Sequence, residues 1–433
     1  MSFPLGSDVP EGLFGISTRD PLRDPLWGHI YLVEGFHALL ETPAFRKLRW
    51  IMQLGPAHLV YPGATHTRAA HSLGVFHLSL RLMHSLWGRG AESILSPARL
   101  RSFFAAALLH DVGHFPFTHA LKELPLEDHE VLSGRLIREE PLRSALGQAS
   151  CDPDFTAAII DHSRESPDRE LLFCRSLLSG VLDPDKLDYL NRDARFCGVP
   201  YGIQDIDYIF SRLSADGEHG LVMEGRGISS IEALLFAKYL MYRSVYWHRD
   251  VRSATGMIKR ALWVALNSGE LVSEELYGLD DAGLFSLLSS RSSRTAKLAA
   301  AVKTGGIYQS IFEEPFDIEN DKHRALEDLK KRSVAEEHLR DAFSRLSGRE
   351  VPAEELVIDV PERVSFESDL WIPDEGAGFM NSSTVFSPAT VSRFTSAIRT
   401  LRVFVSPSLA SSFALSHEAV RACVADSLSC TLK

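Results

Sequence analysis

The chain has 433 residues, of which 45% are hydrophobic and 24% charged, and its formal net charge is −11. This composition predicts a globular protein with a large core, because no segment approaches the roughly 18 consecutive apolar residues of a membrane-spanning helix. The acidic balance argues against nucleic-acid binding through a basic surface, and the first residues lack the pattern of a signal peptide. The five cysteines form no Cys-x-x-Cys pair, which indicates a reducing compartment. We therefore expect a cytoplasmic protein with neither membrane nor nucleic acid as a partner.

Helical patterns dominate the first 300 residues. Threonine or proline marks several predicted starts, and apolar residues recur at helical spacing after them. The predicted helices cover 44–52, 71–87, Pro97 to the His110–Asp111 pair, 118–124, 129–140, 154–162, 170–179, 184–195, 205–213 and 229–250.

The pattern changes in the last third of the chain. A charged helix is predicted over 321–346, and strands are predicted over 356–360 and 401–405. The stretch 372–388 is rich in Gly, Ser, Pro and Asn, which is typical of a loop. The predicted fold is therefore mainly α, with a helical core over 1–300 and a smaller C-terminal α+β lobe over 301–433.

The pair His110-Asp111 follows the apolar run 103–109, so a buried helix delivers an imidazole and a carboxylate into the interior. Buried polar groups need partners, and a metal ion satisfies both at once. His71 and Asp185 each begin a predicted helix and complete a candidate shell of four ligands. Nitrogen and oxygen donors without thiolate suit Mg, Mn, Fe, Ni or Zn, and the pattern does not choose among them. Core histidines that bond backbone groups are the alternative interpretation.

Three strings carry a family resemblance. They are YPGATHTRAAHSLG over 61–74, HDVGHFPFTH over 110–119 and DPDKLDYLNRD over 183–193. Together they resemble the motifs of HD-domain phosphohydrolases, in the branch of the deoxynucleoside triphosphate (dNTP) triphosphohydrolases. The resemblance implies an HD-domain helical core with its motif region at about 66–193, and one divalent metal ion on His71, His110, Asp111 and Asp185. It also implies hydrolysis of a dNTP to deoxynucleoside and inorganic triphosphate.

The same resemblance implies roles for further residues. His119 is expected to be the acid and base nearest the scissile bond, assisted by His114 or His129. Asp185, Tyr189 and Asp193 are spaced to share one face of a helix. The residues expected to bind the substrate's phosphates or sugar are Gln53, Leu54, Arg68, Lys186, Tyr189, Asp193, Lys238 and Tyr246.

Regulation is where the chain departs from the animal members of this branch. Glu41 and Arg49 retain an acid and an arginine of their regulatory nucleotide site, whereas Asp20 and Arg46 replace its lysine and glutamine. We expect a homo-oligomer, a dimer or tetramer, and activation by nucleotide stays open. Two alternatives remain: an HD-type hydrolase of a monophosphate, cyclic dinucleotide or alarmone, and a non-catalytic nucleotide-binding or single-strand nucleic-acid-binding module.

Overall fold

The structure is a computed structural model that describes residues 12–17, 20–364, 366, 370–412 and 417–430. Most of its elements are α-helices. They are α1 (His37–Leu40), α2 (Pro43–Lys47), α3 (Arg68–Leu86), α4 (Pro97–Leu109), α5 (His129–Arg138), α6 (Leu142–Gln148), α7 (Pro153–Ile160), α8 (Arg169–Leu178), α9 (Pro184–Cys197), α10 (Ile206–Ser211), α11 (Ile228–Met241), α12 (Arg249–Asn267), α13 (Asp281–Ser289), α14 (Ser293–Lys303), α15 (Asp321–Ala325), α16 (Leu329–Ser347), α17 (Phe379–Ser382), α18 (Pro388–Ile398), α19 (Pro407–Ser412) and α20 (His417–Ser429).

The strands form three small sheets. They are β1 (Leu22–Asp24), β2 (Gly28–Ile30), β3 (Leu213–Asp216), β4 (Gly220–Met223), β5 (Gln309–Pro315), β6 (Leu356–Asp359), β7 (Trp371–Ile372), β8 (Ala377–Gly378) and β9 (Thr400–Val405). Their orders are β1-β2, β3-β4-β7-β8 and β5-β9-β6. The pairings are antiparallel except for β4 with β7, where Val222 faces Trp371. The mainly helical fold and the smaller C-terminal α+β part are confirmed.

Several predicted helices are shorter or divided. The helix predicted over 44–52 ends at Lys47 and continues as a 3-10 turn to Trp50. The helix predicted over 118–124 is only a 3-10 turn over Thr118–Leu121, and it follows Phe117, whose φ of 64° is left-handed. Short turns of this kind are common as connectors.

The prediction of a single helix over 229–250 is wrong. The segment divides into α11, a π-helical turn over Tyr242–Tyr246 and α12. His248 leaves the helical conformation, and its side chain accepts a hydrogen bond from the backbone N–H of Asp250 to cap α12. Likewise, the charged helix predicted over 321–346 is two helices, because the Asp328 carboxylate caps a new start at α16. The predicted loop 372–388 contains β8 and α17.

The core of the helical part surrounds α3, which packs against α4 on one side and α9 on another. A second core lies under α12, α13 and α14, and a third lies under the three-stranded sheet of the C-terminal part. The chain also returns from the C-terminal part to the helical core, since Phe366, Leu370, Ile372, Phe379 and Phe386 are buried in the first core. The boundary at residue 300 stays a prediction.

Within the described ranges, the structure contains no helix that combines the length and apolar character needed to span a membrane.

Candidate active site

A cleft of about 510 Å³ brings the predicted site residues together. Its walls come from the turn after α2, from the ends of α3, α4 and α9, from α11 and α12, and from the C-terminal part. The predicted residues that line it are Gln53, Leu54, Arg68, His71, His110, Asp111, His119, His129, Asp185, Lys186, Tyr189, Asp193, Lys238 and Tyr246. His114 lies beneath the cleft and is completely buried.

The four predicted metal ligands meet where α3 and α9 begin and α4 ends. The Nε2 atom of His71 lies 2.9 Å from Oδ1 of Asp185, and Nε2 of His110 lies 3.3 Å from Oδ1 of Asp111 and 4.0 Å from Oδ1 of Asp185. His71, His110 and Asp111 each offer one ligating atom, and these three atoms lie within 4.8 Å of one another. Nε2 of His110 is buried without a hydrogen-bond partner. An orphaned imidazole nitrogen facing two carboxylates fits a site for a divalent cation.

The second ring nitrogen of His71 is also held. Its Nδ1 atom lies 2.8 Å from Oδ2 of Asp188, which is buried and receives further hydrogen bonds from the Trp27 indole and the Arg192 guanidinium. Burial opposes a charge on His71, but its hydrogen bonds with Asp185 and Asp188 raise its pKa to about 10. The carboxylates of Asp185 and Asp188 therefore favour a positive charge at the position of the His71 ring. Asp188 fixes the orientation of the His71 ring so that Nε2 faces the cleft.

Asp111 joins the candidate metal shell to a cation. Its Oδ2 atom accepts a hydrogen bond of 2.9 Å from Nη1 of Arg68, one turn before His71 on α3. Burial opposes ionisation of this carboxyl group, but its contacts with His114, His110 and the Arg68 guanidinium hold its pKa well below the usual range. Asp111 is therefore an ionised candidate ligand with one oxygen already bound by Arg68.

The three predicted acid–base histidines form one cluster. The rings of His114 and His129 stack with centroids 4.0 Å apart, and His119 contacts both edge-on. Removal from water in this cluster lowers the pKa of all three histidines, that of His129 to about 4. Their ligating atoms lie within 4.8 Å of one another, so this is a second group with the spacing of a metal site. Nε2 of His114 lies 2.9 Å from Oδ1 of Asp111, which joins the cluster to the candidate shell.

The far end of the α9 face is a buried polar network. Asp193 accepts from the hydroxyl of Tyr246 at 2.7 Å through Oδ2, and its Oδ1 lies 2.8 Å from Nε2 of His66. The π-helical turn over Tyr242–Tyr246 places the Tyr246 ring in the cleft. A carboxylate held from two sides presents a fixed acceptor at this end of the cleft.

The two predicted phosphate-binding lysines have partners within the protein. The ammonium group of Lys186 donates to Oδ2 of Asp183 at 2.7 Å and to the carbonyl of Gly180 at 2.9 Å. Nζ of Lys238 lies 5.3 Å from the ring centroid of Phe366. Both side chains line the cleft, but neither is an isolated charge.

Some site residues were missed by the sequence reasoning. His66 lies inside the first motif string, and Asp188 follows Asp185 by one helical turn, so spacing gave a signal for both. Glu130 lines the cleft beside His129, and partial burial together with the charge of Asp128 raises its pKa to about 7. Arg363 reaches the cleft from the C-terminal part, and no local pattern marks it.

Comparison with known proteins places these features in a family. The HD domain matches residues 68–193, and the HD associated region matches residues 205–378. An uncharacterized protein of Methanocaldococcus jannaschii is 34% identical over 270 residues, which are 62% of this chain and 54% of that protein. The uncharacterized protein YwfO of Bacillus subtilis is 31% identical over 264 residues, 60% of this chain and 58% of that protein.

A relative with a named activity is the human deoxynucleoside triphosphate triphosphohydrolase SAMHD1. It is 27% identical over 266 residues, which are 54% of this chain and 42% of the human protein. The chain thus spans about half the length of the curated relatives that it matches.

The crystal structures of two further proteins resemble most of the chain. A hypothetical protein from Aquifex aeolicus has a TM-score of 0.69 and 25% identity, covering 94% of this chain and 99% of that one. A phosphohydrolase from Bacteroides thetaiotaomicron has a TM-score of 0.68 and 25% identity, covering 90% of this chain and 100% of that one. The His-Asp pair, its partners on neighbouring helices and these matches agree: the chain belongs to the HD-domain family, in the branch whose HD domain is followed by an HD-associated region.

Proposed function

We propose that the protein is a metal-dependent hydrolase that converts dNTPs to deoxynucleoside and inorganic triphosphate. The observation that carries the proposal is the content of one cleft, in which a candidate metal shell, cationic side chains and the Asp193–Tyr246 network lie together. A metal shell alone is common to many HD hydrolases. The additional network at the far end supplies recognition for a sugar beyond the phosphates.

The proposed metal ligands are His71, His110, Asp111 and Asp185. A divalent ion held by these residues would lower the pKa of water and polarise a phosphate oxygen. Arg68 neutralises part of the phosphate charge and also keeps Asp111 ionised through their hydrogen bond. Asp188 holds His71 in the orientation that presents Nε2.

Proton transfer is assigned to His119, which lines the cleft beside His129. Removal from water and the nearby Arg68 charge lower its pKa well below the usual value, so the imidazole is neutral near pH 7. A neutral imidazole accepts a proton from water and then donates it to the leaving oxygen. His114 and His129 pack against His119 and hold its ring in place.

Recognition of the sugar is assigned to the opposite end of the cleft. The Asp193 carboxylate accepts a hydrogen bond from the 3′-hydroxyl, and Gln53 and Leu54 complete that wall. The Tyr246 ring occupies the space that a 2′-hydroxyl needs, which favours deoxyribose. Lys186, Tyr189 and Lys238 face the phosphate chain, where a lysine gives charge without the paired donors of an arginine.

The proposal extends to the assembled protein. We propose that the protein is cytoplasmic and forms a homo-oligomer. The side chain of Trp50, close in sequence to Arg46 and Arg49, is 70% exposed, and such an exposed aromatic residue supports a contact surface between subunits.

The decisive experiment incubates the purified protein with each dNTP and a divalent metal and identifies the products by chromatography. We expect deoxynucleoside and triphosphate, and we expect the double variant His110→Ala plus Asp111→Ala to lose both bound metal and turnover. Release of monophosphate alone, or no turnover with Mg, Mn, Fe, Ni or Zn, contradicts the proposed reaction. Nucleoside monophosphates, cyclic dinucleotides and alarmones in the same panel test the other HD-type activities.

A further inference from the structure

The cations that line the cleft differ in how far the protein itself neutralises them. Arg252 is held by Asp359 and Glu362, and Arg363 is held by both carboxylate oxygens of Glu327. Arg68, Lys186 and Lys238 have the partners described above. A substrate phosphate must share each of these cations with a protein group.

Lys122 is different. It is exposed and lines the same cleft, and its side chain makes no hydrogen bond or ion pair with any residue that the structure describes. Its ammonium charge acts on His119, His129 and Glu130, which places it on the histidine side of the cleft. The protein therefore holds, beside the proposed acid–base group, a positive charge that makes no direct ion pair with a described carboxylate, and Glu130 is an acidic residue of the cleft within its electrostatic reach.

The chain around Lys122 is fixed. The neighbouring Glu123 carboxylate accepts hydrogen bonds from Nζ of Lys259 at 2.8 Å and from two nitrogens of Arg332 at 3.0 Å each. Glu123 is thus anchored to α12 and α16, away from the cleft. With this anchor next to it, the backbone of Lys122 is held at the cleft wall, so that only its side chain has to order around a ligand.

We propose that Lys122 binds the substrate phosphate group that faces His119. This inference rests on the proposed function, because it assigns a further binding residue to the same substrate. A phosphate oxygen is the ligand that an unpaired ammonium group on this wall suits best, since Lys acts as a point charge toward phosphate. Acidic residues of the cleft, among them Asp111 and Asp185, repel a polyanion, and Lys122 offsets part of that repulsion without giving up a hydrogen bond to a described residue.

The test measures binding of inorganic triphosphate to the metal-loaded protein by titration calorimetry. We expect Lys122→Met to raise the Kd for triphosphate about tenfold, the size of one lost charge-assisted contact. Lys122→Arg keeps the charge and is expected to stay within about threefold of the wild type. The matched control is Lys303→Met, because Lys303 is an exposed lysine remote from the cleft.

A kinetic measurement gives a second readout. For a contact already made with bound substrate, Lys122→Met is expected to raise KM for a dNTP about tenfold with a smaller change in kcat. Equal triphosphate affinity of wild type and Lys122→Met, with unchanged unfolding temperature, overturns the inference, as does a wild-type protein that binds no triphosphate. A wild type that binds triphosphate but hydrolyses no dNTP contradicts the proposed function instead, and the comparison of Kd values then still decides the role of Lys122.

Discussion

At the scale of single residues, the side chains behind the candidate metal ligands are as specific as the ligands themselves. Asp188 is buried, and its carboxylate contacts Nδ1 of His71, the ring nitrogen that faces away from the cleft. The side chains of Trp27 and Arg192 donate hydrogen bonds to this carboxylate. Hydrogen bonds of this kind set the ring orientation and basicity of a ligating histidine. Asp188 therefore positions the proposed metal ligand His71 without being a proposed ligand itself.

We expect Asp188→Asn to lower metal content and dNTP hydrolysis by about 10–100-fold, because the neutral amide no longer supports His71 as a carboxylate does. Metal per chain is measured by atomic emission, and activity is measured in parallel. Asp207→Asn is the control, since the Asp207 side chain is 89% exposed. Full metal content in Asp188→Asn contradicts the assignment.

At the scale of elements, the site depends on how closely α3 approaches α9. Gly74 lies on α3 where a Cβ atom would fall 1.8 Å from Oδ1 of Asp188 and 2.5 Å from Nη2 of Arg192. Both contacts are far inside van der Waals distance. A glycine is therefore required here by space, and the two helices cross at the residues that orient His71.

Gly74→Ala is expected to lower the free energy of unfolding by more than about 2 kcal/mol and to reduce metal content, since overpacking forces the Asp188–Arg192 pair to move. Gly147→Ala is the matched variant, because Gly147 is also helical and has nothing within 4 Å of its Cβ position. That change is expected to be neutral or slightly stabilising. If the two variants have equal unfolding midpoints in urea, then α3 does not approach α9 at Gly74 as closely as described above.

Local pattern predicts much of the helical core and of the candidate site, and it fails where the chain turns. Proline, threonine and apolar spacing mark the starts of α3, α4 and α9 to within about three residues, so the residues of the three motif strings lie together as expected. The division at Trp247–His248 is missed because no glycine or proline stands within 229–250 to mark a break in the helical pattern. Arg363 is missed because its approach to the cleft depends on tertiary packing.

At the scale of the whole molecule, the C-terminal part supports the cleft. Arg332 on α16 and Lys259 on α12 both bind Glu123, which follows the turn that carries His119. Burial opposes the charge of Glu123, but Lys259 and Arg332 lower its pKa to about 2. The acid–base turn is thus tied to a helix about two hundred residues later in sequence.

This coupling predicts a pH-dependent difference between wild type and Glu123→Gln. Because the folded-state pKa lies below the unfolded value of about 4.3, the ionised Glu123 contributes fully above that value and loses its contribution as the pH falls toward 2. We expect Glu123→Gln to be less stable by about 2 kcal/mol at pH 7 and the gap to narrow by pH 3. Urea unfolding of both proteins at pH 7 and pH 3 measures this stability difference. The control is Glu319→Gln, because Glu319 is exposed. A gap that is constant with pH contradicts this assignment.

The path of the chain through the cleft has a consequence for synthesis. A chain growing on the ribosome contains all four proposed metal ligands once Asp185 has been added. It still lacks Arg332, which anchors the turn carrying His119, and Arg363, which closes one wall of the cleft. The proposed metal ligands are therefore all synthesised well before the residues that complete the enclosure for substrate.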